Sequence, residues 1–81
     1  MSVYTIVNDD YEVEVFTCSK KLVERLHGRG VKYFDCHEDS EGNRFFQPDT
    51  NITARIIRNK RIVNAYIESD SGDWEYKIQS H

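Results

Sequence analysis

Residues 52–68 read ITARIIRNKRIVNAYIE, and the pairing of this stretch decides the fold. Two β-branched runs, Ile52 to Arg58 and Arg61 to Glu68, flank Asn59-Lys60, with Asn where a type I′ turn requires the left-handed conformation. A two-residue loop there sets Ile52 opposite Ile67, Ala54 opposite Ala65 and Ile56 opposite Val63, which makes one face of the hairpin core. The reverse face carries Thr53 with Tyr66, Arg55 with Asn64 and Ile57 with Ile62, polar groups ending in an apolar tip. A further loop at Ser71-Gly72 sets Ile67 opposite Tyr76 and Ala65 opposite Ile78, with Trp74 on the same face. It also places Glu68 against Glu75, an unfavourable pair accepted as a cost of the register.

Outward from this stretch, Tyr4 to Val7 and Tyr11 to Val15 are strand-like runs separated by Asn8-Asp9-Asp10, so the chain begins with a hairpin. With Asn8-Asp9 as the loop, Tyr4 and Ile6 share a face with Tyr11, Val13 and Val15, and Glu12 and Glu14 point away. Ser19 then offers an N-cap before Lys20 to His27, and Gly28 and Gly30 supply the stop. Leu22, Val23 and Leu26 form a narrow apolar stripe, so the helix leans on the sheet. Val31 to Cys36 and Arg44 to Gln47 make a second hairpin around a polar loop, and Pro48 to Asn51 breaks the pattern. The expected fold is α+β. It has a mostly antiparallel, twisted sheet of six to seven short strands and one short helix, in the order β-β-α-β-β-β-β-β. A β-grasp-like arrangement and a small half-open barrel are the two concrete options.

The chain has 81 residues, 38% hydrophobic and 31% charged, which fits one small domain over residues 1–81 and excludes a two-domain enzyme. Such a chain buries only about 60% of its unfolded surface, so its core is one thin layer. The N-terminus has neither a basic leader nor an apolar run, and nothing approaches the ~18 apolar residues of a membrane span. The expectation is a cytoplasmic protein, off the membrane, in which Cys18 and Cys36 stay reduced and the sequon Asn51-Ile52-Thr53 stays unmodified.

No catalytic motif emerges. Asp35-Cys36-His37-Glu38-Asp39 gathers metal-capable side chains, but neighbours on a strand point to opposite faces, so no metal and no cofactor is assigned. Neither cysteine has a spacing that implies a histidine base, and Gly28-Arg29-Gly30 follows a helix where phosphate loops precede one. The expectation is therefore a protein that is not an enzyme, with a metal-dependent enzyme as the minor alternative.

Charge is the more informative signal. A net charge of −3 conceals five alternating blocks, of −4 over residues 1–16, +4 over 20–32, −4 over 35–49, +4 over 55–61 and −3 over 68–77. Two functional readings follow. In the first, a small binding module docks a charged and aromatic sheet face, through Arg55, Ile57, Arg58, Ile62 and Tyr66, onto another protein. It would act as a modulator or inhibitor of the phage or mobile-element type, as monomer or homodimer. In the second, Lys20, Lys21, Arg25, Arg29, Arg55, Arg58, Lys60 and Arg61 join into one basic patch beside Phe45, Phe46 or Tyr66 and bind nucleic acid. Both depend on whether folding brings the two basic blocks together.

Overall fold

A computed structural model describes residues 2–36, the backbone of 44–46, and residues 49–67 and 74–81. Among the described residues the chain forms six strands and two helices, each helix following a pair of strands: β1 (Tyr4–Asn8), β2 (Val13–Phe16), α1 (Ser19–Gly28), β3 (Tyr33–Cys36), β4 (Arg44–Phe46), α2 (Thr50–Arg58), β5 (Ile62–Tyr66) and β6 (Tyr76–Ser80). The strands form one antiparallel sheet in the order β2-β1-β6-β5-β3-β4. The α+β class and the antiparallel sheet stand as expected. Among the described residues the sheet ends at β2 and β4, and there are two helices where one was expected.

That second helix is the main correction. The run Thr50–Arg58, expected to be mostly strand, is helical because Asp49 caps it: Asp49 Oδ1 accepts from Ile52 N–H at 3.0 Å. Residues 52–57 fit both periods, since β-branched side chains at alternating positions also include an i, i+1, i+4 set in Thr53, Ala54 and Ile57. The helical set is the one buried, at 0%, 3% and 1% exposure, while Ile52 is 43% exposed. Thr53 is accommodated in the interior because its hydroxyl donates to the Asp49 carbonyl at 3.0 Å. The pairings of Ile52, Ala54 and Ile56 with β5 therefore do not exist. β5 lies instead between β3 and β6.

Two registers also differ. Ala65 pairs with Tyr76 and Val63 with Ile78, a two-residue offset from the expected β5–β6 register that keeps the same residues on the core face. The Ser71-Gly72 loop, the Glu68–Glu75 pair and the acidic run after Cys36 lie outside the described residues. In the first hairpin the offset is odd. Tyr4 pairs with Phe16, Ile6 with Glu14 and Val7 with Val13. The loop is residues 9–11, one residue longer than expected and starting one residue later: Asn8 Oδ1 accepts from the N–H groups of Asp10 and Glu12, and Tyr11, at φ 62°, takes the left-handed position that ends a three-residue turn. An odd shift reverses the faces, so Glu14 and Phe16 lie on the helix side. Tyr11, Val13 and Val15 are exposed at 79%, 59% and 64%.

Both helices pack on one face of the sheet and against each other. Between them and the sheet lies one core, built from Tyr4, Ile6, Phe34, Val63, Ala65 and Ile78 below and Leu22, Val23, Leu26, Ala54 and Ile57 above. The stripe expected on α1 is fully buried. Its end is a Schellman turn: Val31 N–H reaches the Leu26 carbonyl and Gly30 N–H the His27 carbonyl, each at 3.0 Å, with Gly30 at φ 93°. Cys36 is buried at 2% exposure.

Candidate functional site

The two basic blocks meet only in part, because α1 presents its cations on two sides. On the side facing β2, the odd register of the first hairpin brings Glu14 to the helix layer, where it accepts a bidentate pair from Arg29 (Nη1 to Oε2 2.5 Å, Nη2 to Oε1 2.9 Å). Arg25 Nη1 stands 3.8 Å from Glu14 Oε1. The Arg29 hydrogen bond is the largest influence on the Glu14 carboxyl and holds it below the usual carboxylate range, against a smaller opposing effect of burial. The Arg29 guanidinium is pushed up by the same contact and lies 5.5 Å from the centre of the Tyr76 ring. Lys21 lines a hollow with Phe16, Glu24, Arg25, Gly28 and Arg29. Here acid and base interleave and largely cancel.

On the side facing α2 no ion pair forms among the described residues. Lys20 from the first turn of α1 and Arg55 and Arg58 from the last turns of α2 line one groove with Cys18, Ser19, Asn51 and Ala54. All three cations are exposed, and among the described residues no carboxylate comes within ion-pair distance of them. The helices that form the groove are also joined by a polar contact, Thr50 Oγ1 to His27 Nδ1 at 3.4 Å, and the His27 ring meets Phe34 edge-on. Cys18 occupies the N-cap position of α1. Its thiol makes no geometrically formed cap bond, yet the N–H groups of Lys21 and then Lys20 face it and hold it below the ordinary thiol range.

The residues of the first reading are dispersed. Arg55 and Arg58 lie on α2, Ile57 from the same helix is core at 1% exposure, Ile62 is half-buried on β5, and Tyr66 is buried at 4%. Ile57 and Tyr66 have no surface to offer a partner. Of the second reading, Lys20, Arg55 and Arg58 come together, Lys21, Arg25 and Arg29 belong to the acid-lined side, and Lys60 and Arg61 follow α2 on the way into β5.

A second surface was not foreseen, the β2 edge. Asn8 N–H donates to the Glu12 carbonyl at 3.2 Å and His81 N–H to the Val3 carbonyl at 2.8 Å. Even-numbered residues of β1 thus face β2 and odd-numbered ones face β6. By antiparallel alternation the peptide groups of Glu14 and Phe16 point toward β1, and those of Val13 and Val15 point outward. β2 has no neighbour on that side among the described residues. The signal in the sequence was Asn8, whose amide side chain captures two backbone N–H groups and so sets the loop length.

No helix of the described structure is long and apolar enough to cross a membrane, and no cluster of metal-capable side chains occurs among the described residues. No family model, curated protein or solved structure matches the chain.

Proposed function

We propose that the protein is a non-enzymatic binding module whose β2 edge pairs with an extended segment of a partner protein. The observation that carries this is the coincidence, on Val13 and Val15, of outward-pointing peptide groups with side chains that are 59% and 64% exposed. Edge strands are normally protected by lysine, proline or a bulge, because bare backbone groups beside apolar side chains invite another strand. Residues 9–17 contain neither lysine nor proline, and the glutamate that would guard the edge, Glu14, is drawn to the helix layer by Arg29. The surface has the composition of strand addition: main-chain hydrogen bonds give affinity, and alternate side chains give selectivity. Val13 and Val15 would select apolar residues on one face of the incoming strand. Asp9, Asp10 and Glu12, exposed at the hairpin end, would select a lysine or arginine near one terminus.

The test is selection from a displayed library of ten-residue peptides, read out with labelled peptide and by amide exchange. The expected winners alternate apolar residues and end in a cation, and they slow exchange at Val13 and Val15. Val15→Pro removes an outward donor without removing a β1–β2 bond, so it should abolish binding and leave the domain folded, with Val13→Lys as a second variant. Failure to enrich any peptide, or winners indifferent to both variants, overturns the reading.

A further inference from the structure

The groove between the helices is a second binding surface with different chemistry, and we propose that Lys20, Arg55 and Arg58 bind the phosphodiester backbone of a nucleic-acid strand. Three cations line this groove with no carboxylate within ion-pair distance among the described residues, while Arg25 and Arg29, on the same small body, are given one. Arg55 and Arg58 have a local reason to be where they are, since cations in the last turns of a helix complement its dipole. Lys20 has the opposite: it stands in the first turn of α1, where the dipole disfavours it, and it shares the groove with two further positive charges. An anion in the groove relieves all of this repulsion at once.

The form of the site selects among anions. A small ligand is held in an enclosed pocket by convergent, mostly buried groups, and here the three charged side chains are exposed along an open trough. Arg55 and Arg58, three residues apart, lie along the same side of α2, with Lys20 across from them, an arrangement suited to a chain of charges running through. Among the described residues no aromatic side chain lines the trough; of the expected stacking platforms Tyr66 is buried in the sheet, and the side chains of Phe45 and Phe46 lie outside the described residues. The described lining offers contacts to phosphates, and binding through it is backbone contact without sequence preference. Ser19 and Asn51 supply neutral hydrogen-bonding groups beside the phosphates.

The experiment is fluorescence anisotropy of a labelled 15-nucleotide single strand against salt concentration, with the full chain. Three neutralised phosphates give a slope of log K on log salt near −2, or about a hundredfold loss of affinity for a tenfold rise in salt. A patch of all eight cations from the two basic blocks would give nearly −6. Arg55→Gln and Arg58→Gln should each flatten the slope by about 0.7, and Lys21→Gln, outside the groove, should leave it unchanged. Bound strand should also slow alkylation of Cys18, which lines the same groove, a readout that a mere loss of stability would not reproduce. Absence of binding at low salt, a Lys21→Gln effect equal to that of Arg58→Gln, or unprotected Cys18 overturns the proposal. So does equal displacement by inorganic phosphate, which would mark a single-anion site, or by polyglutamate, which would mark an acidic protein partner. None of these outcomes bears on the β2 edge.

Discussion

The two helices bury the same pattern and treat their charges differently. Leu22, Val23 and Leu26 on α1 and Thr53, Ala54 and Ile57 on α2 both occupy positions i, i+1 and i+4, and both sets lie between sheet and neighbouring helix. Yet the arginines of α1 have a carboxylate in Glu14, and those of α2 have none among the described residues. Packing is thus equivalent in the two helices and electrostatics is not. An ion pair occupies Arg25 and Arg29, so the cations left to meet a ligand are those of the groove, Lys20 with Arg55 and Arg58.

Equivalence of packing is the part most easily broken. Leu26→Ala and Ile57→Ala remove fully buried side chains from opposite helices, and each should cost about 2–5 kcal/mol in chemical denaturation. A small loss at Ile57 alone would show that α2 is peripheral to the core. The interhelical contact of Leu26 and Ile57 with a shared cluster also predicts that the double variant falls short of additivity or fails to fold.

Helix ends sharpen the contrast. α2 begins at a formed cap, so Asp49→Ala should cost about 1 kcal/mol, whereas Cys18→Ala at the start of α1 should leave the denaturation midpoint unchanged, since the thiol makes no cap bond. At the other end the order reverses. Gly30 at φ 93° closes α1, and Gly30→Ala should cost about 1 kcal/mol through backbone strain alone, because the space around an added Cβ is open. α2 ends at Asn59 with φ −96°, where the side-chain Nδ2 donates to the Arg55 carbonyl at 3.1 Å, and Asn59→Ala should cost less than Gly30→Ala.

Which of these features the sequence discloses follows from how local they are. α1 is legible because its stripe, its glycines and the absence of alternation point the same way. α2 is not, since the seven residues from Ile52 to Arg58 satisfy helix and strand equally, β-branched content favours strand, and Asp49 beside Pro48 reads as a turn unless it is recognised as a cap. The β5–β6 faces survive a wrong register because the error is even. The β1–β2 faces do not, because one extra turn residue makes the error odd and sends Val13 and Val15 to the surface. The cationic groove was half legible: the blocks of charge were visible in the chain, but which members meet depends on the sides of α1 and on Glu14, both set by those two corrections.

The Glu14–Arg29 pair gives the smallest effect and the sharpest check on the electrostatic contrast. Its pH dependence has a definite sign. Arg29 lowers the folded-state pKa of Glu14 below its unfolded value, so the pair's stabilisation is present in full above the unfolded value, about 4.3, and is lost as pH falls through the folded one. The carboxylate side chain is 36% exposed, so solvent screening limits the contribution to about 0.5 kcal/mol. Denaturation midpoints of the native protein and of Glu14→Gln, measured from pH 7 to pH 3, should therefore differ slightly at neutrality and converge in acid. Arg58→Gln should show no such convergence, since among the described residues no carboxylate lies within ion-pair distance of it. If Glu14→Gln and Arg58→Gln behaved alike, the arginines of α1 would be as uncommitted as those of α2, and the groove would lose the contrast that singles it out.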